Sequence, residues 1–117
     1  MTLFFPDKVL PDDPPGMSFW VAGHYYEHNA MNAAALTLAS KAEIPDYDLY
    51  KFPYDMGEQL QDWLNGHQAI HYALRQVTGV GGYDLSQVNF NSREQFFDWQ
   101  QFHADEHRQL RQVLGLS

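Results

Sequence analysis

Apolar residues recur in three stretches of the chain at the three-to-four-residue spacing of a helix with one buried face. In the middle stretch this stripe consists of Leu60, Trp63, Leu64, Ile70, Leu74 and Val77. The last stretch repeats it with Phe96, Trp99, Leu110 and Val113, and the first has Met17, Trp20, Met31 and Leu38. The pattern predicts three helices, near 14–41, 56–78 and 92–114.

Residues that typically start and end helices flank these stretches. The motifs Asp55-x-x-Glu58 and Asn91-x-x-Glu94 fit capping boxes, in which an Asp or Asn side chain accepts a hydrogen bond from an early backbone amide. Gly79 and Gly115 stand where a residue in the left-handed conformation would end the second and third helices.

The three stretches are copies of one sequence unit. Residues 47–80 and 83–116 are identical at 14 of 34 positions, including the strings YDL and LRQV. A more divergent first copy aligns on the pattern W-x-x-x-H-x-x-x-H, which starts at Trp20, Trp63 and Trp99 and uses every tryptophan and histidine of the chain. We infer an internal triplication.

Extended connectors are predicted between the helices, at 42–55 and 79–91, together with an extended N-terminal arm at 1–13. Eleven extended residues reach about 36 Å, which is also about the length of a 24-residue helix. A connector can therefore run the length of its helix, which favours three helices that point the same way over up-down-up packing. We expect one all-α domain over 1–117, a three-helix bundle built from a triplicated helix-plus-connector unit.

Each histidine pair lies on the apolar stripe of its own helix, because the Trp and the two His of one copy span an arc of only about 80°. All six imidazole rings are therefore predicted to point into the seam between the helices. The six residues are His24, His28, His67, His71, His103 and His107. They need partners there, since a buried polar group without one costs about 1–3 kcal/mol.

Two arrangements would satisfy such a cluster. One is a network of neutral histidines hydrogen-bonded to Tyr, Asp, Glu or water. The other is a transition-metal site for Zn, Fe or Ni, because an i, i+4 His pair chelates one ion and three pairs supply an all-imidazole octahedron. Glu27 and Glu106 stand between the histidines of their pairs and are candidate additional ligands, where the second copy has Ile70. Gly23 and Gly66 precede the first histidine of their pairs and predict close approach of the helices at this level.

Charge and composition disfavour several functions. The net charge is −8 with only seven Lys plus Arg, so nucleic acid and anionic membrane surfaces would repel the protein. There is no cysteine, hence no disulfide and no thiolate zinc site. No apolar run is long enough to span a bilayer, and the opening MTLFFPDKVLPDDPPG lacks the features of a signal peptide.

Two metal-dependent functions fit the motifs less well. The segments 24–28 and 103–107 match H-x-x-E-H, the pattern of inverted zincin proteases, but no third ligand is marked and the match is part of the repeat. A likeness to hemerythrin would place His and Glu ligands on bundle helices, but that fold normally needs four helices and we predict three.

The tandem pattern W-x-x-x-H-x-x-x-H followed by L-R-Q-V-x-G, with YDL connectors, resembles small accessory proteins encoded among the structural genes of tailed bacteriophages. The resemblance covers 47–116 well and 17–46 loosely. It implies a non-enzymatic capsid or tail component in the virion or host cytoplasm, with other virion or assembly proteins, or further copies of itself, as partners. We therefore expect a structural or assembly module. The alternative is a soluble metal-binding protein whose His pairs, Glu27 and Glu106 hold one or two ions for redox or O₂ chemistry.

Overall fold

Three long helices make up the structure, a computed structural model that describes residues 14–53, 59–81 and 93–116. They are α1 (Pro14–Leu38), α2 (Gln59–Thr78) and α3 (Arg93–Leu114). Each helix packs against the other two, and the described ranges contain no strand. The all-α three-helix bundle predicted from the sequence is confirmed. None of these helices is long and apolar enough to cross a bilayer.

Two glycines end α2 and α3 as predicted. Gly79 and Gly115 have φ angles of 76° and 75°, in the left-handed region that a residue with a Cβ rarely adopts. After α2, the Gly79 N–H donates to the Arg75 carbonyl at 2.8 Å. After α3, the Leu116 N–H donates to the Arg111 carbonyl at 2.8 Å, the long bond of a Schellman motif.

The first helix is shorter than predicted, since it ends at Leu38 and not at residue 41. No glycine marks its end, so the sequence offers no sharp stop there. The N-terminal arm, the first capping motif, Asn91 of the second and most of the second connector lie outside the residues that the structure describes.

The helices are parallel, because equivalent residues of the three copies meet in layers. The ring centroid of Trp20 lies 6.4 Å from that of Trp63 and 6.5 Å from that of Trp99. One turn further along every helix, the first histidine of each pair meets its two equivalents, and the second histidines form the layer after that. An antiparallel helix would present these residues in reverse order, so up-down-up packing does not occur.

The first connector returns along α2 to the start of the bundle. The Leu49 carbonyl accepts a hydrogen bond of 3.1 Å from Trp63 Nε1, and Phe52 packs edge-on against Trp63 at 4.9 Å. Leu49 and Phe52 are buried and belong to the core, whereas Tyr50 is exposed. The connector thus covers the tryptophan end of the bundle while it carries the chain back for a parallel helix.

An aliphatic layer closes the core beyond the histidines. Met31, Leu74 and Leu110 occupy equivalent places and are fully buried. Leu38 and Val113, which the apolar stripe placed inside, are exposed. Both lie in the last turn of their helices, beyond the level of this layer.

Gly66 faces the connector and not a neighbouring helix, so the predicted reason for this glycine was wrong. A Cβ at this position would lie 2.5 Å from Cγ and Cδ2 of Tyr47. The Tyr47 ring therefore rests directly on the backbone of α2, and glycine is the residue that leaves room for it.

Gly66→Ala should lower the free energy of unfolding by about 1–3 kcal/mol, the usual cost of overpacking, because the new methyl group displaces the Tyr47 ring. Urea denaturation followed by circular dichroism measures the change.

The matched control is the same substitution in a Tyr47→Ala background. There it should stabilise the protein by up to about 1 kcal/mol, since alanine is the better helix former. Equal losses in both backgrounds would show that the tyrosine contact does not decide the cost.

Candidate metal centre

The first histidine layer consists of His24, His67 and His103, whose Nε2 atoms form a triangle. The His24 Nε2 atom lies 3.2 Å from that of His67 and 2.9 Å from that of His103. The third edge, between His67 and His103, measures 3.0 Å. All three side chains are buried.

The second histidine layer consists of His28, His71 and His107, one turn further along the same helices. The His71 Nε2 atom lies 3.2 Å from that of His28 and 3.1 Å from that of His107. These rings are also buried. Both layers therefore point their Nε2 atoms at the bundle axis.

The Nε2 spacings within each layer are those of one face of an octahedron. One ring nitrogen from each of the six histidines lies within 4.8 Å of every other. At a metal–nitrogen bond of about 2.0–2.1 Å, octahedral neighbours are about 2.9 Å apart and opposite donors about 4.1 Å apart. The observed edges of 2.9–3.2 Å match that figure closely. All six histidines predicted as ligands from the sequence thus converge in one cluster.

Tryptophans orient the first layer. Trp20 stacks on His24 with the ring planes 11° apart, and Trp63 on His67 with the same angle. Trp99 stacks on His103 with an angle of 8°. The i, i+4 spacing of the repeat places each indole directly below its imidazole, so the ring planes are fixed by packing.

Carboxylates orient two rings of the second layer. Glu27 Oε1 accepts a hydrogen bond of 3.0 Å from His107 Nδ1, and Glu106 Oε2 accepts one from His71 Nδ1. Both glutamates are buried. They lie behind the rings and not at the Nε2 cluster, where carboxylates orient histidines. Their part as additional ligands stays a prediction.

Two arginines complete these contacts. Arg75 donates to Glu106 Oε1 from Nε at 3.0 Å and from Nη2 at 2.6 Å, and Arg111 donates from Nη1 to Glu27. The sequence reasoning missed both residues. The signal was present, because each arginine follows the second histidine of its copy by four residues, within the repeated LRQV string.

The six imidazoles are neutral near pH 7. Burial lowers the pKa of every one of them, and for His24, His67, His71, His103 and His107 the neighbouring histidines lower it further. Burial alone lowers the pKa of His28 to about 3. Neutral imidazole with a free lone pair is the form that binds a metal ion.

Hydrogen bonds alone cannot satisfy these triangles. An imidazole Nε2 either carries a proton and donates or carries a lone pair and accepts. In a triangle of three such atoms at least one edge must pair like with like, whatever the tautomers. In the second layer, His107 and His71 donate their Nδ1 protons to Glu27 and Glu106, so both Nε2 atoms carry lone pairs. These two Nε2 atoms face each other at 3.1 Å. A cation on the axis would attract all of these lone pairs at once.

Comparisons with known proteins identify no relative: no protein-family model, no curated protein and no solved structure matches the chain. The resemblance to bacteriophage accessory proteins therefore stays a prediction.

The free energy of unfolding of the metal-free protein should be flat above about pH 7 and fall as the pH drops below 6.5. Below that value the histidines of the unfolded chain take up protons, whereas those of the folded chain stay neutral. Each such histidine lowers the free energy of unfolding by about 1.4 kcal/mol per pH unit. The loss continues towards the lowered folded pKa, about 3 for His28.

Denaturant titrations between pH 8 and pH 5, in the presence of a chelator, measure this dependence. Unfolded carboxylates titrate near pH 4, so they contribute little in this window. A free energy that stays constant down to pH 5 would contradict the burial of neutral histidines.

Proposed function

We propose that the protein is a metal-binding three-helix module, in which the six histidines hold one divalent first-row transition ion in a closed octahedral site. The observation that carries this proposal is the set of five Nε2–Nε2 distances of 2.9–3.2 Å, three within the first layer and two within the second. Without a cation these triangles leave like groups facing each other in a buried core. With one, every lone pair has a partner.

Carboxylates contact two histidines of the cluster, as is typical of metal-binding histidines. The six donors are neutral, so the ligands themselves bring no compensating charge. Glu27 and Glu106 supply two buried carboxylates one ring away from the axis. Such carboxylates also make the imidazoles they contact better donors. Arg75 and Arg111 hold the same carboxylates in place from the partly exposed edge of the bundle.

Six-fold coordination distinguishes among the metals that favour imidazole. Zinc sites in proteins are mostly tetrahedral, and copper(II) prefers a tetragonal arrangement. Nickel(II), cobalt(II) and iron(II) accept six imidazoles. A tetrahedral ion would leave two of the six buried rings without a bond, and stacking and carboxylate contacts prevent most of these rings from turning away. Among the candidates Zn, Fe and Ni, the proposal favours Fe and Ni.

A site filled by six protein ligands has a structural role, because catalytic metal sites keep a position open for water or substrate. The ion would join α1, α2 and α3 at two levels and stabilise their parallel packing. The glutamates of the two H-x-x-E-H motifs contact Nδ1 atoms and do not face the axis, so they are not placed to activate a metal-bound water. This role is compatible with a structural or assembly module, and a place in a virion remains a prediction from the resemblance.

Titration of the metal-free protein with nickel should give one bound ion per chain. At a free ion concentration about a thousand times Kd, the bound ion should add about 4 kcal/mol to the free energy of unfolding. A chelator should reverse the gain.

His67→Ala with His103→Ala should abolish both effects, whereas Gln76→Ala, on the exposed side of α2, should leave them unchanged. Unaltered melting temperatures with and without nickel in the wild type would refute the proposed function.

Nickel should bind more tightly than zinc, by about tenfold or more, which corresponds to about 1.4 kcal/mol. The physical reason is the coordination number, because the fifth and sixth imidazoles add less binding free energy for zinc than for nickel. Competition titrations against one chromophoric chelator measure both constants, and zinc binding as tight as nickel would count against an octahedral site.

A further inference from the structure

Each pair of neighbouring helices forms one corner of the bundle, and a glutamate–histidine contact joins the helices at two of the three corners. Glu27 of α1 contacts His107 of α3, and Glu106 of α3 contacts His71 of α2. The third step would join α2 to His28 of α1. In α2, however, the equivalent residue is Ile70, which is buried and apolar.

The arginine of the third corner is missing as well. Asn32 stands four residues after His28, where the other copies have Arg75 and Arg111. Its Oδ1 atom is buried and has no hydrogen-bond partner in the part of the chain that the structure describes. The same holds for His28 Nδ1. At the other two corners, the equivalent Nδ1 atoms and the arginines bond to a carboxylate.

His28 is also the histidine whose ring orientation the surrounding residues restrict least. The first-layer rings lie flat on tryptophans, and His71 and His107 donate to carboxylates. Against His71 and His107, the His28 ring makes only edge contacts, at interplanar angles of 74° and 81°. Among the described residues neither an indole stacks on it nor a carboxylate accepts from it.

We infer that His28 is the exchangeable ligand of the second layer, the position at which a bound ion first releases a protein ligand and accepts an outside nitrogen or oxygen donor. This inference rests on the proposed metal site. When His28 binds through Nε2, its proton must sit on Nδ1, where none of the described residues accepts it, and a buried donor without a partner is costly. For His71 and His107 the same proton is held by a glutamate, a contact of the kind typically worth 10–100-fold in metal affinity.

The test compares alanine at the three equivalent positions of the second layer, with nickel as the probe. His28→Ala should weaken nickel binding by about tenfold or less, whereas His71→Ala and His107→Ala should each weaken it by about 100-fold or more. Circular dichroism confirms that each variant is folded. If an alanine variant does not fold, the near-isosteric His→Gln series is measured in its place, with the same ranking expected.

A second measurement examines the outside donor directly. Free imidazole added to nickel-loaded protein should change the visible absorption at lower concentration in His28→Ala than in the wild type, because the vacated position binds it. Glu27→Gln and Glu106→Gln provide the control for the orienting carboxylates, and each should weaken nickel binding by about 10–100-fold.

The outcomes separate the two proposals. A wild-type protein that binds no nickel overturns the proposed function and this inference with it. Tight wild-type binding combined with a His28 variant that loses as much as the His71 and His107 variants overturns this inference alone.

Discussion

The structure depends on a simple constraint: three imidazole nitrogens that meet at one point cannot all hydrogen-bond to one another. Here the constraint occurs in the first layer and, at the His71–His107 contact, in the second, inside a core that excludes water. Protonation does not relieve it, because burial and mutual repulsion lower the pKa of these histidines. Under the proposed function, a positive ion on the axis would give the facing lone pairs a common partner.

The scaffold is built so that the rings must converge. Copies of one helical unit bring their equivalent residues to one level only if the helices are parallel, and a parallel bundle needs connectors that return along its length. The first connector does this and uses Leu49 and Phe52 to cover the tryptophan end. Tyr47 rests on Gly66 on the same path. The tryptophans below and the aliphatic layer above then exclude water from both histidine layers.

Much of this could be predicted from the repeat itself. The apolar stripe, the i, i+4 histidine pairs and the glycine stops predicted the helices, the inward rings and the left-handed residues 79 and 115. The roles of Glu27 and Glu106 could not be predicted, because which face of an imidazole a carboxylate meets depends on the rotation of a neighbouring helix. The predicted reason for Gly66 was wrong for a similar cause, because the residue that this glycine faces depends on the path of the connector. Arg75 and Arg111 were missed because at a helix end they look like surface residues.

X-ray absorption at the nickel edge, recorded on the reconstituted full chain, measures the number and kind of atoms bound to the ion. We expect one shell of six nitrogen neighbours at a single distance, with the scattering pattern of imidazole rings behind them. A four-coordinate shell, or one dominated by oxygen from water and carboxylate, would contradict the octahedral six-histidine site.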